Sequence, residues 1–169
     1  IIGNGQPDWF GGITNSFQFY GVDFSFMFQY SVGNDVYNAQ RMFSTQSRLE
    51  MQNNLAEVKD RWTATNASNL VPSAKGYVAY DVYSRFIEDG SFLRLKNITL
   101  GYTIPERLTR KIYVNKLRIY ASANNLFLLT KYSGFDPEVN MKSSNLMPSF
   151  DFGAYPKSKT FTFGVELNF

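Results

Sequence analysis

The last ten residues, TFTFGVELNF, alternate strictly between apolar and polar. Phe161, Phe163, Val165, Leu167 and Phe169 share one face of an extended strand, and Thr160, Thr162, Gly164, Glu166 and Asn168 share the other. A two-residue period sustained over about ten residues is the length of a strand that crosses a bilayer at barrel tilt, apolar side toward lipid. The aromatic ring of Phe169 beside a carboxylate suits a membrane interface better than a closed core.

The same period recurs upstream. Gly and Pro punctuation makes residues 1–12 read as an irregular opening loop. Ile13, Phe17 and Phe19 then share a face with Asn15, the stretch Tyr20-Gly21-Val22-Asp23 reverses the chain, and Phe24, Phe26, Phe28, Tyr30 and Val32 alternate with Ser25, Met27, Gln29 and Ser31. This predicts an antiparallel hairpin with an aromatic outer face. A further strand over 86–104 has a broken phase: Ile98, Leu100, Tyr102 and Ile104 share a face, but Leu93 and Leu95 fall on the opposite parity. Two readings account for this. A β-bulge near Lys96 restores the phase, or the membrane band ends there and Arg94 and Lys96 point outward at the level of lipid phosphates. Pro105 ends the strand, ERLTRKIYVNK makes a basic reversal, and Leu117, Ile119, Ala121 and Ala123 alternate with Arg118, Tyr120, Ser122 and Asn124 in a strand running to Thr130. By parity, Arg118, Glu166 and Asn168 face a lumen.

Long connections separate these strands at about 33–85 and 131–157. In the first, Leu55, Val58 and Trp62 at helical spacing predict a short amphipathic helix over about 47–62. Short and long connections alternate, as do the periplasmic turns and extracellular loops of outer-membrane barrels. The expectation is therefore an all-β chain whose last strand descends to the periplasmic face. Five strands fall short of the roughly eight that the smallest bacterial single-chain barrels use, so the missing strands, like any targeting segment, are expected upstream of residue 1.

Composition supports this outline. Aromatics make up 17% of the 169 residues, with 16 Phe and 11 Tyr. They are interleaved with polar residues, and no stretch approaches the roughly 18 apolar residues of a membrane helix. The chain has no Cys and no His, which removes thiolate or imidazole zinc sites, thiol nucleophiles and Ser-His-Asp triads within these residues. A formal charge of +3 is too small and scattered to argue for nucleic acid. No cofactor, metal site or catalytic residue is expected.

Five separated motifs carry a family resemblance: IGNGQPDWFGG, GNDVYN, DGSFLRLKNITLGYTIP, NNLFLLTKYSGFDPEV and DFGAYPKSKTFTFGVELNF. In order and over nearly the whole chain, they resemble the C-terminal part of the SusC/RagA-type TonB-dependent outer-membrane transporters of Bacteroidetes. The resemblance implies a barrel of about 22 strands, of which residues 1–169 supply the last five, with the plug and the N-terminal strands absent. It also implies a Gram-negative outer-membrane location and uptake of glycans or oligopeptides. The partners it implies are a SusD-like surface lipoprotein that caps the barrel, and TonB acting through the absent N-terminal part.

Candidate sites follow from these readings. Phe24, Phe26, Phe28, Tyr30, Ile98, Leu100, Tyr102, Phe161, Phe163, Val165, Leu167 and Phe169 are expected to face lipid. Trp62, Tyr77, Tyr80, Tyr83, Tyr132, Phe135 and Tyr155, in the long connections, are candidates for contact with cargo or lipoprotein, as is Trp9; the plainer role for the clustered tyrosines is packing. Asp136, Glu138 and Asp151 could form a glycosidase or calcium site, but Asp136-Pro137-Glu138 reads more naturally as a turn. The alternatives kept open are a non-transporting outer-membrane barrel and a soluble carbohydrate-binding β-sandwich or glycosidase using those three acids.

Overall fold

The computed structural model describes residues 2–45, 53–68, 71–73, 83–139 and 148–169. In chain order the elements are β1 (Trp9–Phe19), β2 (Val22–Val32), β3 (Asp35–Asn38), α1 (Ala39–Thr45), β4 (Ile87–Asp89), β5 (Phe92–Ile104), α2 (Glu106–Thr109), β6 (Lys116–Thr130), β7 (Phe150–Asp151) and β8 (Thr160–Asn168). They fall into two compact units. No helix among the described residues is long and apolar enough to cross a membrane, which says nothing about strands.

The sheet unit comprises residues 7–32, 91–130 and 156–169. Its five strands lie in the order β1-β2-β5-β6-β8, and each neighbouring pair is antiparallel. The β1–β2 hairpin turns on Tyr20 and Gly21, both at positive φ (47° and 85°), the geometry whose twist matches the flanking strands. The β5–β6 connection is α2, a 3-10 turn over Arg110–Ile112, and Tyr113 in the left-handed region at φ 59°.

The phase break in β5 is a bulge. Met27 pairs with Asn97 but Phe28 pairs with Leu95, so Lys96 is the extra residue and Leu93 and Leu95 return to the face of Ile98 and Leu100. On the other side, β6 answers with two extra residues, Asn125 and Leu126, between Asn124 and Phe127. Asn125 takes φ 52°, which Asn tolerates, and its side-chain amide donates to the Ser158 carbonyl at 3.1 Å.

Two boundaries differ from the sequence expectation. β1 begins at Trp9, not near Ile13, because Gly11 and Gly12 are strand residues and not loop punctuation. Gly11 pairs with Tyr30, and a Cβ there would sit 2.9–3.2 Å from the Tyr30 ring and hydroxyl. The expected strand over 86–104 is also interrupted. At Gly90 a Cβ would meet Asn34 Nδ2 and Val36 Cγ2 at 2.5 Å, while its N–H donates to the Asn34 carbonyl at 2.8 Å. This close approach separates β4, in one sheet, from β5, in the other.

The loop unit comprises residues 1–6, 33–90 and 131–155. Its small sheet has the order β4-β3-β7, antiparallel between β3 and β4 and parallel between β3 and β7. Val36, Tyr132 and Val139 form its buried cluster, with Ala154 packed against them. The chain passes from β3 directly into α1, and Asn38 caps that helix by accepting the Arg41 N–H at 2.8 Å. The helix expected over about 47–62 is not present in its described part. Leu55 is extended, only a 3-10 turn forms over Ala56–Asp60, and Trp62 donates its N–H to the Val71 carbonyl at 2.9 Å. Asn53 and Asn54 are poor helix formers, and the backbone groups on either side of the turn bond to other segments instead. The remainder of that expectation lies outside the described residues.

Candidate functional site

The register of the sheet unit builds a continuous apolar face. Phe17, Phe24, Leu100, Ala121 and Phe163 form one row across the five strands, and Asn15, Phe26, Ile98, Ala123 and Phe161 form the next. Another row runs Phe19, Val22, Tyr102, Ile119, Val165. Phe24–Phe26 and Phe26–Phe28 ring centroids lie 5.7 and 5.6 Å apart, so the aromatics form a ladder along β2. All the strand residues expected on the apolar side share this face, and Phe163 is 80% exposed. Trp9, weighed above as a loop contact, stands on the same face opposite Val32.

The other face is polar and internally bonded. Arg118 donates to both Asp23 carboxylate oxygens, from Nε at 2.9 Å and Nη2 at 2.6 Å, reaching across β5 at Gly101. Any side chain at position 101 would put its Cβ 2.5 Å from those oxygens. Arg118 also lies 3.6 Å from Glu166, which Lys116 approaches at 3.5 Å. Tyr120 lies across Gly164, and the Arg118 guanidinium stacks 5.0 Å from its ring centre. Asn97 donates to Asn124 at 2.9 Å directly across β5–β6. One face is therefore suited to hydrocarbon and the other to water or polar protein.

The loop unit holds a cavity of about 410 Å³ lined by residues including Gln40, Arg41, Leu55, Glu57, Ser133 and Phe135. Arg41 grips both oxygens of Glu57, at 3.0 and 2.8 Å, and donates to Glu88 at 3.1 Å. Its hydrogen bonds to Glu57 raise the Arg41 pKa above the ordinary range, and the same bonds hold the Glu57 carboxyl below it. Glu88 is in turn held by the Ser133 hydroxyl and N–H, both at 2.8 Å. The ionic groups here lock loop segments together.

The sequence-predicted contact residues are dispersed. Phe135, 66% exposed, lines the cavity, and Tyr155 is 92% exposed. Trp62 is also exposed, whereas Tyr83 is half-buried edge-on to Phe86 with ring centroids 6.5 Å apart. Tyr132 is only 6% exposed and donates its hydroxyl to Asp151 at 2.6 Å; burial and that carboxylate raise its pKa. Its ring packs the unit's core. Tyr77 and Tyr80 lie outside the described residues.

Two of the three acids of the enzyme alternative, Asp136 and Asp151, accept hydrogen bonds in turns. Asp136 accepts the Glu138 N–H at 2.9 Å, the turn read from the sequence. Asp151 is fully buried and accepts the Gly153 and Ala154 N–H groups at 2.9 and 3.1 Å besides the Tyr132 hydroxyl. Sequence reasoning did not single out the Arg41–Glu57–Glu88 cluster or the Asp23–Arg118 pair. The available signals were Asn38 ahead of a helix-forming AQRM and a parity that puts Asp23 and Arg118 on the polar side.

Five antiparallel strands, apolar on one face and polar on the other, are a stretch of transmembrane β-barrel wall. No protein-family model matches the chain. It is 34% identical to TonB-dependent receptor P3 of Formosa agariphila over 100% of its length, and 32% identical over 94% to the TonB-dependent receptor SusC of Bacteroides thetaiotaomicron. It spans 17% and 15% of those relatives. Its fold superposes on the RagAB peptide importer in the open-open state with TM-score 0.81 and 31% identity, covering 97% of this chain and 17% of that one. The RagAB peptide transporter gives 0.78 at 31% identity, covering 94% and 17%. Over nearly its whole length the chain is similar to one section of the SusC/RagA-type TonB-dependent receptors.

Proposed function

We propose that these residues form barrel wall and extracellular loops in an outer-membrane importer of oligomeric nutrients, glycans or oligopeptides. In this reading, TonB energises the importer through the plug domain and a SusD-like lipoprotein caps it. The observation that carries the reading is the apolar face, held in register across all five strands by the Lys96 bulge. In this reading the face that carries Phe24, Phe26, Leu100, Phe163 and Leu167 meets lipid, with Phe169 at its edge. The polar side, with its Asp23–Arg118 pair, lines a lumen and braces a plug. The two long connections carry the extracellular loops, where Phe135, Trp62 and Tyr155 offer exposed rings for stacking against cargo or lipoprotein. Support for import comes from the similarity to TonB-dependent receptors and to the RagAB peptide importer. The hydrogen bonds that tie Asp136 and Asp151 into turns favour this reading over a glycosidase.

The test is uptake by cells carrying the full-length protein, with labelled oligopeptides and oligosaccharides supplied separately. Import of one class, abolished by a proton uncoupler and by loss of TonB, is expected. Uptake indifferent to both would contradict active import and leave a non-transporting barrel.

A further inference from the structure

The β5–β6 connection carries two cations with no ion-pair partner among the described residues, at the end of the sheet where the apolar face stops. In α2 and the 3-10 turn that follows, Glu106 and Arg110 neutralise one another one turn apart, at 2.9 Å to Nε and 2.8 Å to Nη2. Arg107 and Lys111 form a second (i, i+4) set, both exposed and neither bonded to a carboxylate. Between them Leu108 is 59% exposed, and just beyond them Tyr113 is 91% exposed and fixed by its left-handed backbone. The helix does not float. Thr109 and Val114 are buried, the Thr109 hydroxyl bonds to the Glu106 carbonyl, and the Asn115 N–H bonds to the Asn168 carbonyl at 2.8 Å. At this end of the sheet the exposed aromatics Phe19, Tyr20, Tyr102 and Phe169 also stand.

We propose that this connection is a headgroup site for anionic phospholipid in the leaflet nearest the short turns. Leu108 and Tyr113 enter the acyl–headgroup boundary, and Arg107 and Lys111 hold the phosphate. An apolar and an aromatic side chain flanked by unneutralised cations, continuous with an apolar band, is the pattern that partitions at an interface and prefers negative lipid. The site depends on the barrel-wall reading, because the leaflet it meets is defined by that face.

The test uses the full-length transporter reconstituted in nanodiscs of phosphatidylethanolamine with a minor share of phosphatidylglycerol, with co-purified lipid counted after detergent extraction. The wild type is expected to retain phosphatidylglycerol in preference. R107Q/K111Q is expected to lose roughly tenfold of that preference, R107K/K111R to keep it, and E106Q, which frees Arg110, to raise it. Equal retention by wild type and R107Q/K111Q overturns the site. Displacement of the lipid by inorganic phosphate at matched concentration overturns a lipid source in favour of a free-phosphate site. A wild-type protein that does not insert into the bilayer overturns the barrel-wall reading and this proposal with it, and is told apart by the absence of heat-modifiable migration.

Discussion

Asp151 shows how the loop unit spends its acids. Buried and accepting three hydrogen bonds, it anchors Gly153, Ala154 and Tyr132 at once. Replacing Tyr132 with Phe deletes one donor and strands a buried carboxylate oxygen. A loss of about 1–3 kcal/mol in loop-unit stability is expected, read as faster cleavage by limited proteolysis of the full-length protein. Because the raised Tyr132 pKa belongs to the folded state, that hydrogen bond contributes fully below about pH 10 and is lost as the pH rises through the folded value. Glu57 behaves in the opposite sense. Arg41 holds its carboxyl below the usual range, so the pair stabilises above about pH 4.3 and is lost as the pH falls through the lowered value. The pair is partly exposed and worth about 1 kcal/mol or less, so the expected signature is a modest acid-induced rise in loop proteolysis that Arg41→Gln abolishes. In the sheet, Gly164→Val would drive a side chain into the Tyr120 ring. Loss of the heat-modifiable folded band is expected, with partial recovery when Tyr120→Ser is added.

At the scale of elements, the bulge at Lys96 sets the facing of half of β5. Deleting Lys96 would remove the extra residue and leave Leu95 directly before Asn97, so Leu93 and Leu95 would keep the face of Ile98 and Leu100 without a bulge. Folded protein is expected to accumulate in the outer membrane both after this deletion and after Lys96→Thr, which keeps the count; loss of folded protein with the deletion alone would contradict Lys96 as the extra residue. The hydrophobic pattern alone showed that something changes near Lys96 but left bulge and membrane edge equal, because the answer lies in the two extra residues of β6, a separate strand. The five strands were legible from their period, since one face of each must be apolar along its whole length. The loop elements were not. Leu55, Val58 and Trp62 have helical spacing, yet the described residues around them form bridges to Ser44 and Val71, partners that no local window contains. Gly11 reads as a break and Gly90 as mid-strand, whereas Gly11 is a strand residue under the Tyr30 ring and Gly90 is where the expected strand divides, close against Asn34 and Val36.

For the whole molecule, the central claim is that one face of this sheet meets hydrocarbon and the other meets water or plug. The candidate lipid face was legible because it needs only parity. The candidate contact residues were less so: Phe135 and Tyr155 are exposed while Tyr132 is buried, and nothing in their sequence neighbourhoods distinguishes them. The chain has no cysteine, so single cysteines can be read without background from these residues. The most direct measurement places a cysteine at Phe163 or Leu100, or at Thr162 or Thr99, in the full-length protein in outer membranes. Each is then labelled with a bimane probe, and quenching by brominated lipid is compared with quenching by aqueous iodide. Lipid quenching confined to positions 163 and 100, with none at 162 and 99, is the expected result. Iodide quenching at 163 and 100 without lipid quenching would place that face in water and contradict the account.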